Sequence, residues 1–215
     1  MLDLPIIVLG AGGHARVLID ALESLHKTIL GLVGRSDDRA RGGLAYPVLG
    51  DDDSVLEHVP DSVFLVNGVG MVRASTQRKD LYLRFRDRGY RFATVVHPAA
   101  CVSPRATLGE GAQVMAGAIV QVGSGVGENC IINTGAAVDH DCLLASHVHI
   151  APGAVLAADV TVGEMSHIGA GATVLQGVRL GASVTVGAGS VVLHDVPDGE
   201  CVVGVPARPI RDGSR

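Results

Sequence analysis

His140 stands between two carboxylates in the run Asn133-Thr134-Gly135-Ala136-Ala137-Val138-Asp139-His140-Asp141-Cys142. A carboxylate beside an imidazole fixes its tautomer and raises its basicity, which is what a general base needs. An isolated histidine is more often a solvated surface side chain, so the two flanking acids are what single this one out. A second group with chemical potential is the glycine turn Gly10-Ala11-Gly12-Gly13-His14. Gly10, Gly12 and Ala15 fit a G-x-G-x-x-A pattern, in which the first glycine makes a turn and the second lets a diphosphate approach the backbone. The helix that follows then offers free N–H groups to the anion. A nicotinamide site would also want an acid at the end of the second strand to hold a ribose, and here that strand ends Val33-Gly34-Arg35. This departure counts against a dehydrogenase.

Both groups need elements to position them. From residue 102 to residue 197 the chain repeats every six residues, with an aliphatic residue at position one of every hexad (Val102, Leu108, Val114 and onward to Val192). Position five is always small or β-branched, as at Ala106, Ala112, Cys130, Cys142 and Val148, and position two is often glycine, as at Gly109, Gly127, Gly163 and Gly169. A fixed hexapeptide period is the mark of a parallel β-helix. Positions one and five point inward, while the Gly-rich and polar positions make the corner, where backbone freedom is needed. Three hexads close one triangular coil, so residues eighteen apart share a column. His140 is turned outward at position three with Ala158 one coil above it. His149 is turned outward at position six with His167 above it. A flat prism face offers no pocket until a second prism closes it, so a partner chain is expected.

The first hundred residues read differently. Leu4 to Leu9 is a short apolar strand, and Ala15 to Leu25 has apolar residues at helical spacing. Ile29 to Val33, Val63 to Val66 and Ala93 to Val96 read as further strands, the last entering the prism, and Val72 to Arg88 as an amphipathic helix. Such alternation predicts a small parallel α/β domain over residues 1–97, with a Rossmann-like sheet, followed by an all-β helix over 98–215. The segment from Arg35 to Asp53 looks loop-rich.

Composition excludes several classes. A formal charge of −5 gives no support to nucleic-acid binding. The apolar runs are far too short to span a membrane, and no charged-then-apolar leader precedes them. A cytoplasmic protein is expected. The four cysteines form no C-x-x-C pair, and Cys130 and Cys142 fall on inward positions where packing is their expected role.

Taken together, the N-terminal GAGGHARVL, the junction VVHPAA, the segment NTGAAVDHDC followed by His149, and the terminal VVGVPARPI resemble the sugar O-/N-acyltransferases of the sialic-acid O-acetyltransferase and bacillosamine N-acetyltransferase type. The resemblance spans both halves and implies a left-handed β-helix, a handedness that spacing alone does not give. It further implies a homotrimer that binds acetyl-CoA between neighbouring prisms, uses no metal, and acetylates the 4-amino group of a nucleotide-linked 4-amino-4,6-dideoxy sugar. By resemblance His140 is the base and Asp141 the acid that supports it, one methylene shorter than the glutamate of the bacillosamine enzymes. His149, Ala158, Ala170 and Ala188 match coenzyme contacts, with the Ala158 N–H holding the acetyl oxygen. Gly12, Gly13, His14 and Gly68 match contacts to the diphosphate and sugar. Uridine-binding members carry two consecutive aspartates where this chain has Gly34 and Arg35. That leaves UDP- and GDP-linked substrates both open and makes the perosamine N-acetyltransferases a leading comparison.

Three other readings compete. Sialic-acid-type O-acetyltransferases share the same motifs. A non-catalytic nucleotide-sugar-binding protein would keep the same sites. Zinc enzymes built on the hexapeptide fold use three histidines, and His147, His149 and His167 invite that comparison, but the paired histidines five residues apart that mark those enzymes are missing.

Overall fold

The computed structural model describes residues 4–34, 46–71, 74 and 76–210. The hexads form a left-handed parallel β-helix of two-residue strands, one strand per hexad, in three ladders that step by eighteen residues within the repeat. One ladder runs Val95–Val96, Gln113–Val114, Ile131–Ile132, His149–Ile150, His167–Ile168 and Thr185–Val186 to Cys201–Val203. It therefore begins one strand before the hexad pattern is recognisable and ends one after it. The position-one aliphatics and position-five small residues alternate in a buried column, among them Val114, Ile132, Ile150, Ile168, Ala112, Cys130, Cys142 and Val148. Serines at position five are accommodated because each hydroxyl finds a backbone partner: Ser124 Oγ donates to Asp139 O at 2.6 Å and Ser166 Oγ to Gly181 O at 2.7 Å, and Ser190 Oγ accepts from Gly204 N at 3.0 Å.

The expected reason for the position-two glycines requires correction. The left-handed backbone of most corners falls at position four, where Asn129 (φ 54°), Asp141 (φ 61°) and Asp159 (φ 58°), with His147, Met165 and Ser183, take turns with glycine. Asn and Asp tolerate that region better than other side chains. The position-two glycines answer to stacking: a Cβ on Gly127 would lie 2.6 Å from Ala145 C, and one on Gly169 2.6 Å from Ala188 N, both on the next coil.

The N-terminal domain is a parallel sheet in the order β3-β2-β1-β4-β5, comprising β1 (Ile6–Leu9), β2 (Ile29–Val33), β3 (Val48–Gly50), β4 (Phe64–Asn67) and β5 (Arg91–Phe92). Helix α1 (Gly13–Ser24) follows β1 directly, and α2 (Gln77–Arg86) precedes β5. Three details depart from the sequence reading. The strand expected over Ala93–Val96 is two strands, with β5 closing the sheet and Val95–Val96 opening the prism. Within the segment read as loop, β3 pairs with β2 and a 3-10 turn spans Asp52–Glu57, while Arg35 to Ala45 lie outside the described residues. The helix expected from Val72 is described only from Gln77, and it buries Arg78, Tyr82 and Phe85 on one face.

The two domains pack together along the first ladder. Gln113 and Ile131 are fully buried and His149 and His167 are each 6% exposed, although all four point out of the prism. The α/β domain covers that face.

Candidate active site

A prism corner has a built-in donor. At position four the N–H reaches the previous coil, as Asp159 N does to His140 O at 3.0 Å and Gly189 N to Ala170 O at 2.8 Å. Position three has no such partner: among the described residues the N–H groups of Ala158, Ala170 and Ala188 have no acceptor. Ala158 shares one corner column with His140, and Ala170 and Ala188 share another with Thr134 and Pro152.

His140 sits on its corner with its side chain half exposed. Its Nδ1 donates to Asp141 Oδ2 at 2.8 Å, and its backbone N–H donates to Asp139 Oδ1 at 2.7 Å. The shorter acid therefore reaches the ring, because the left-handed φ of Asp141 turns its side chain back along the corner. With Nδ1 committed to a carboxylate, Nε2 carries the lone pair. The hydrogen bond to Asp141, then the charges of Asp139, Asp141 and Asp159, hold the imidazole above its ordinary pKa.

A cleft of about 960 Å³ lies between the α/β domain and the covered prism face. A single chain thus already has a pocket, which corrects the expectation that only a second prism would create one. The cleft gathers Gly12, Gly13, His14, Gly68, His149, Ala170 and Ala188. His140, Asp141 and Ala158 do not line it. Gly34 lines an adjoining cleft that shares Gly10, Val69 and Gln77 with the first, and Arg35 lies outside the described residues.

At the floor of the cleft β1 is followed by Gly10, whose φ of 96° demands glycine, and the chain enters α1 through its N-cap Gly12. Among the described residues no side chain caps this helix and no acid lies in its first turn, so its N-terminal N–H groups and positive dipole end face the cleft. A Cβ on Gly12 would meet nothing within 4 Å, and one on Gly13 only the tip of Arg16. These glycines leave space that packing does not require. Gly68 and Gly34 differ: a Cβ on Gly68 would lie 2.7 Å from Leu9 O, and one on Gly34 3.3 Å from Ala11 N, so both allow the turns around the cleft to close on each other.

The wall of the cleft holds buried histidines, of which His14 and His149 are fixed in one tautomer. His14 Nε2 donates to Gln113 Oε1 at 2.8 Å, and Gln113 Nε2 donates to Asn67 O at 2.8 Å. His149 Nδ1 donates to Met71 O at 2.7 Å, while its Nε2 accepts from Asn133 Nδ2 at 3.1 Å. The His167 ring packs edge-on against His149 with centroids 4.9 Å apart. Burial pushes His14 and His167 down to about 4 and His149 to about 3, with the nearby Arg78 charge lowering His14 and His149 further. His147, on the third corner column's side, is also lowered to about 4 by burial and accepts from Asn129 Nδ2 at 3.0 Å. His14, His147 and His149 are held by protein hydrogen-bond partners, whereas the buried His167 Nδ1 has none among the described residues; among those residues no group of three His, Cys, Asp or Glu is arranged to hold a metal ion.

The sequence reading missed Gln113, Asn67, Asn129 and Arg78, which form the polar seam between the domains. The available signals were a glutamine at an outward position where the neighbouring coils carry Val95 and Ile131, and an arginine on the apolar face of α2.

Residues 5–82 match the model of the PglD N-terminal domain, and residues 159–194 match the bacterial transferase hexapeptide of six repeats. The acetyltransferase domain of PglB from Neisseria gonorrhoeae FA1090, in complex with acetyl coenzyme A, is 39% identical over 96% of this chain and 98% of that one, with a TM-score of 0.87. PerB from Caulobacter crescentus, in complex with CoA and GDP-perosamine, is 39% identical over 96% and 97%, with a TM-score of 0.89. WeeI from Acinetobacter baumannii AYE shares the fold at 23% identity, over 96% of this chain and all of that one, with a TM-score of 0.85. A search of curated proteins gave no match.

Proposed function

The chain belongs to the hexapeptide-repeat sugar O-/N-acyltransferase family, and from that premise we propose that it is an acetyl-CoA-dependent N-acetyltransferase acting on the 4-amino group of a nucleotide-linked 4-amino-4,6-dideoxy sugar. The observation that carries this reading is the pairing of a helix N-terminus and a glycine cradle, suited to a diphosphate, with a corner histidine whose tautomer is fixed by a carboxylate. The division of labour follows the two domains, residues 1–97 and 98–215. Gly12, Gly13 and His14 take the diphosphate and sugar, with Gly34, Arg35 and Gly68 around them. His149, Ala170 and Ala188 take the coenzyme.

In the reaction the sugar amine attacks the thioester carbonyl, forming a C–N bond. His140 Nε2 removes the proton from the attacking nitrogen, and Asp141 holds the ring in the tautomer that leaves Nε2 free. The oxyanion that develops on the acetyl oxygen accepts from the Ala158 N–H, a backbone donor that does not depend on residue 158 being glycine. As the intermediate collapses the C–S bond breaks, and the imidazolium returns its proton to the departing CoA sulfur. No acyl-enzyme forms. Proximity supplies much of the rate, since both substrates are held at one site.

His140 and Ala158 lie outside the cleft of their own chain, so the site is completed by a neighbour in a homotrimer. The exposed apolar side chains Ile119, Val122, Val155, Leu175 and Leu193 support this, because they lie on the ladder that leads into the His140 corner and along that corner itself. An apolar strip of this kind marks an interface. We place the reaction in the cytoplasm, where acetyl-CoA and nucleotide sugars are available; among the described residues no helix is long and apolar enough to cross a membrane.

The test is CoA release from acetyl-CoA with GDP- and UDP-linked 4-amino sugars, each beside its 4-hydroxy counterpart. Amine-dependent turnover supports the proposal. Turnover with the hydroxy sugars alone makes the protein an O-acetyltransferase, and binding without turnover makes it a sensor.

A further inference from the structure

Among the described residues Arg78 is a cation without a counter-ion. It is 3% exposed and sits at the start of α2, facing inward. Its Nη1 donates to Asn67 O and to Val69 O, both at 2.7 Å, and its Nε donates to Asn129 O at 3.3 Å. Its Nη2 is buried and has no partner among the described residues. Among the described residues no ion pair to a carboxylate involves it, although the neighbouring Lys79 pairs with Glu164 and Arg86 with Glu128.

Two of the three carbonyls it holds, Asn67 O at the end of β4 and Val69 O just after it, bracket the start of the turn that walls the cleft. Gly68, Val69 and Gly70 all line that cleft. A trans peptide points its N–H opposite to its C=O, so pinning Val69 O onto the guanidinium turns the Gly70 N–H away from Arg78. That N–H has no acceptor among the described residues, and a Cβ on Gly70 would lie 3.3 Å from His14 Cβ, which places the donor beside the first turn of α1. The charge behind the turn and the free donors in front of it are therefore both positive toward one place.

We propose that Arg78 is a positioning residue for the substrate anion: its guanidinium draws the Asn67 and Val69 carbonyls back, presents the Gly70 N–H to the cleft, and supplies positive charge that the nucleotide's diphosphate balances. The inference rests on the reading of the cleft as the nucleotide-sugar site. A buried cation left unpaired in the protein is costly unless something else compensates it, and a dianionic group in the cleft does so through one layer of peptide.

Binding of GDP, UDP and acetyl-CoA to the full-length protein, measured by calorimetry on the wild type, Arg78→Met and Arg78→Lys, tests it. Arg78→Met is expected to bind GDP or UDP at least 10-fold more weakly with acetyl-CoA affinity unchanged, and to raise KM for the nucleotide sugar more than it lowers kcat. Arg78→Lys is expected to recover part of the loss. A folded Arg78→Met with wild-type nucleotide affinity, or one whose nucleotide and coenzyme affinities fall together, overturns the proposal. Should Arg78→Met not fold, Asn129→Asp introduces a carboxylate on a residue that already contacts Arg78. Selective loss of GDP or UDP binding then supports the proposal, and unchanged binding overturns it. A wild-type protein that binds neither nucleotide overturns the reading of the cleft itself, whereas normal wild-type binding with an indifferent Arg78→Met removes only the role of Arg78.

Discussion

His140 Nδ1 and Asp141 Oδ2 are 2.8 Å apart although the two residues are adjacent in sequence. Neighbours in a strand or helix point apart, and this contact exists because Asp141 occupies the left-handed position of a prism corner. The same corner turns Ala158, one coil above, so that its N–H is left without an acceptor. The proposed base, with its fixed tautomer, and the proposed oxyanion donor thus arise from one backbone feature repeated at eighteen residues.

Replacement of His140 by alanine removes the proposed base and is expected to leave the coil intact, since the side chain is half exposed. The expected result is a drop in kcat of about 10²–10⁴-fold, the range for loss of a general base. Acetyl-CoA affinity, measured by calorimetry, and melting temperature are expected to stay at wild-type values.

Only unprotonated His140 accepts a proton, so activity rises with pH through its pKa. Because Asp141 is the largest cause raising that pKa, the acidic limb of the wild-type kcat/KM profile is expected above the ordinary imidazole value. Asp141→Asn removes both the charge and the tautomer lock. Its limb should move to lower pH while its plateau falls. A limb that does not move would show that Asp141 does not act on His140.

Glycines that look alike in sequence should behave differently. Gly12→Val projects into open space in the cleft and is expected to leave the melting temperature unchanged while weakening binding of GDP or UDP by more than 10-fold. Gly127→Ala drives a Cβ to within 2.6 Å of the next coil's backbone and is expected to destabilise by about 1–3 kcal/mol. Thermal denaturation beside nucleotide titration separates the two.

Stability should also fall on acidification. His14, His147, His149 and His167 are held neutral, with pKa values of about 4, 4, 3 and 4 in the folded chain. An unfolded chain protonates its histidines near 6.5. Depressed folded values mean that the unfolded state binds more protons between about pH 6.5 and 4, so stability is fully present above pH 6.5 and is lost as pH falls through that window. Melting temperatures from pH 7.5 to 4.5 are expected to show the decline, with a shallower slope in His167→Gln. An unchanged slope in that variant would contradict the contribution of His167.

The prism was legible from sequence because its physics is local: an aliphatic at position one and a small residue at position five report the inward face of every hexad independently. The same register placed His140 outward with Ala158 above it. It did not show that a second domain covers His149, since the contact from His149 to Met71 O joins residues 78 apart. Nor did it show the seam of Arg78, Asn67, Asn129 and Gln113, whose members come from β4, α2 and two coils of the prism. Strands as short as β3 and β5 carry too few residues for an alternating pattern, and both are fixed by pairing within the sheet. The glycine turn was legible as a turn, but only the structure separates Gly12, which leaves space, from Gly68, which removes a clash.

The central claim is that the cleft of one chain works with the His140 corner of another. Subunit complementation tests it most directly: His140→Ala, with an intact cleft, is co-assembled with Gly12→Val, with an intact corner, and CoA release is measured on the preferred amino sugar. The account predicts that mixed oligomers recover activity that neither parent shows, because some sites join the good cleft of one chain to the His140 of its neighbour. Mixed oligomers no more active than their parents would contradict it.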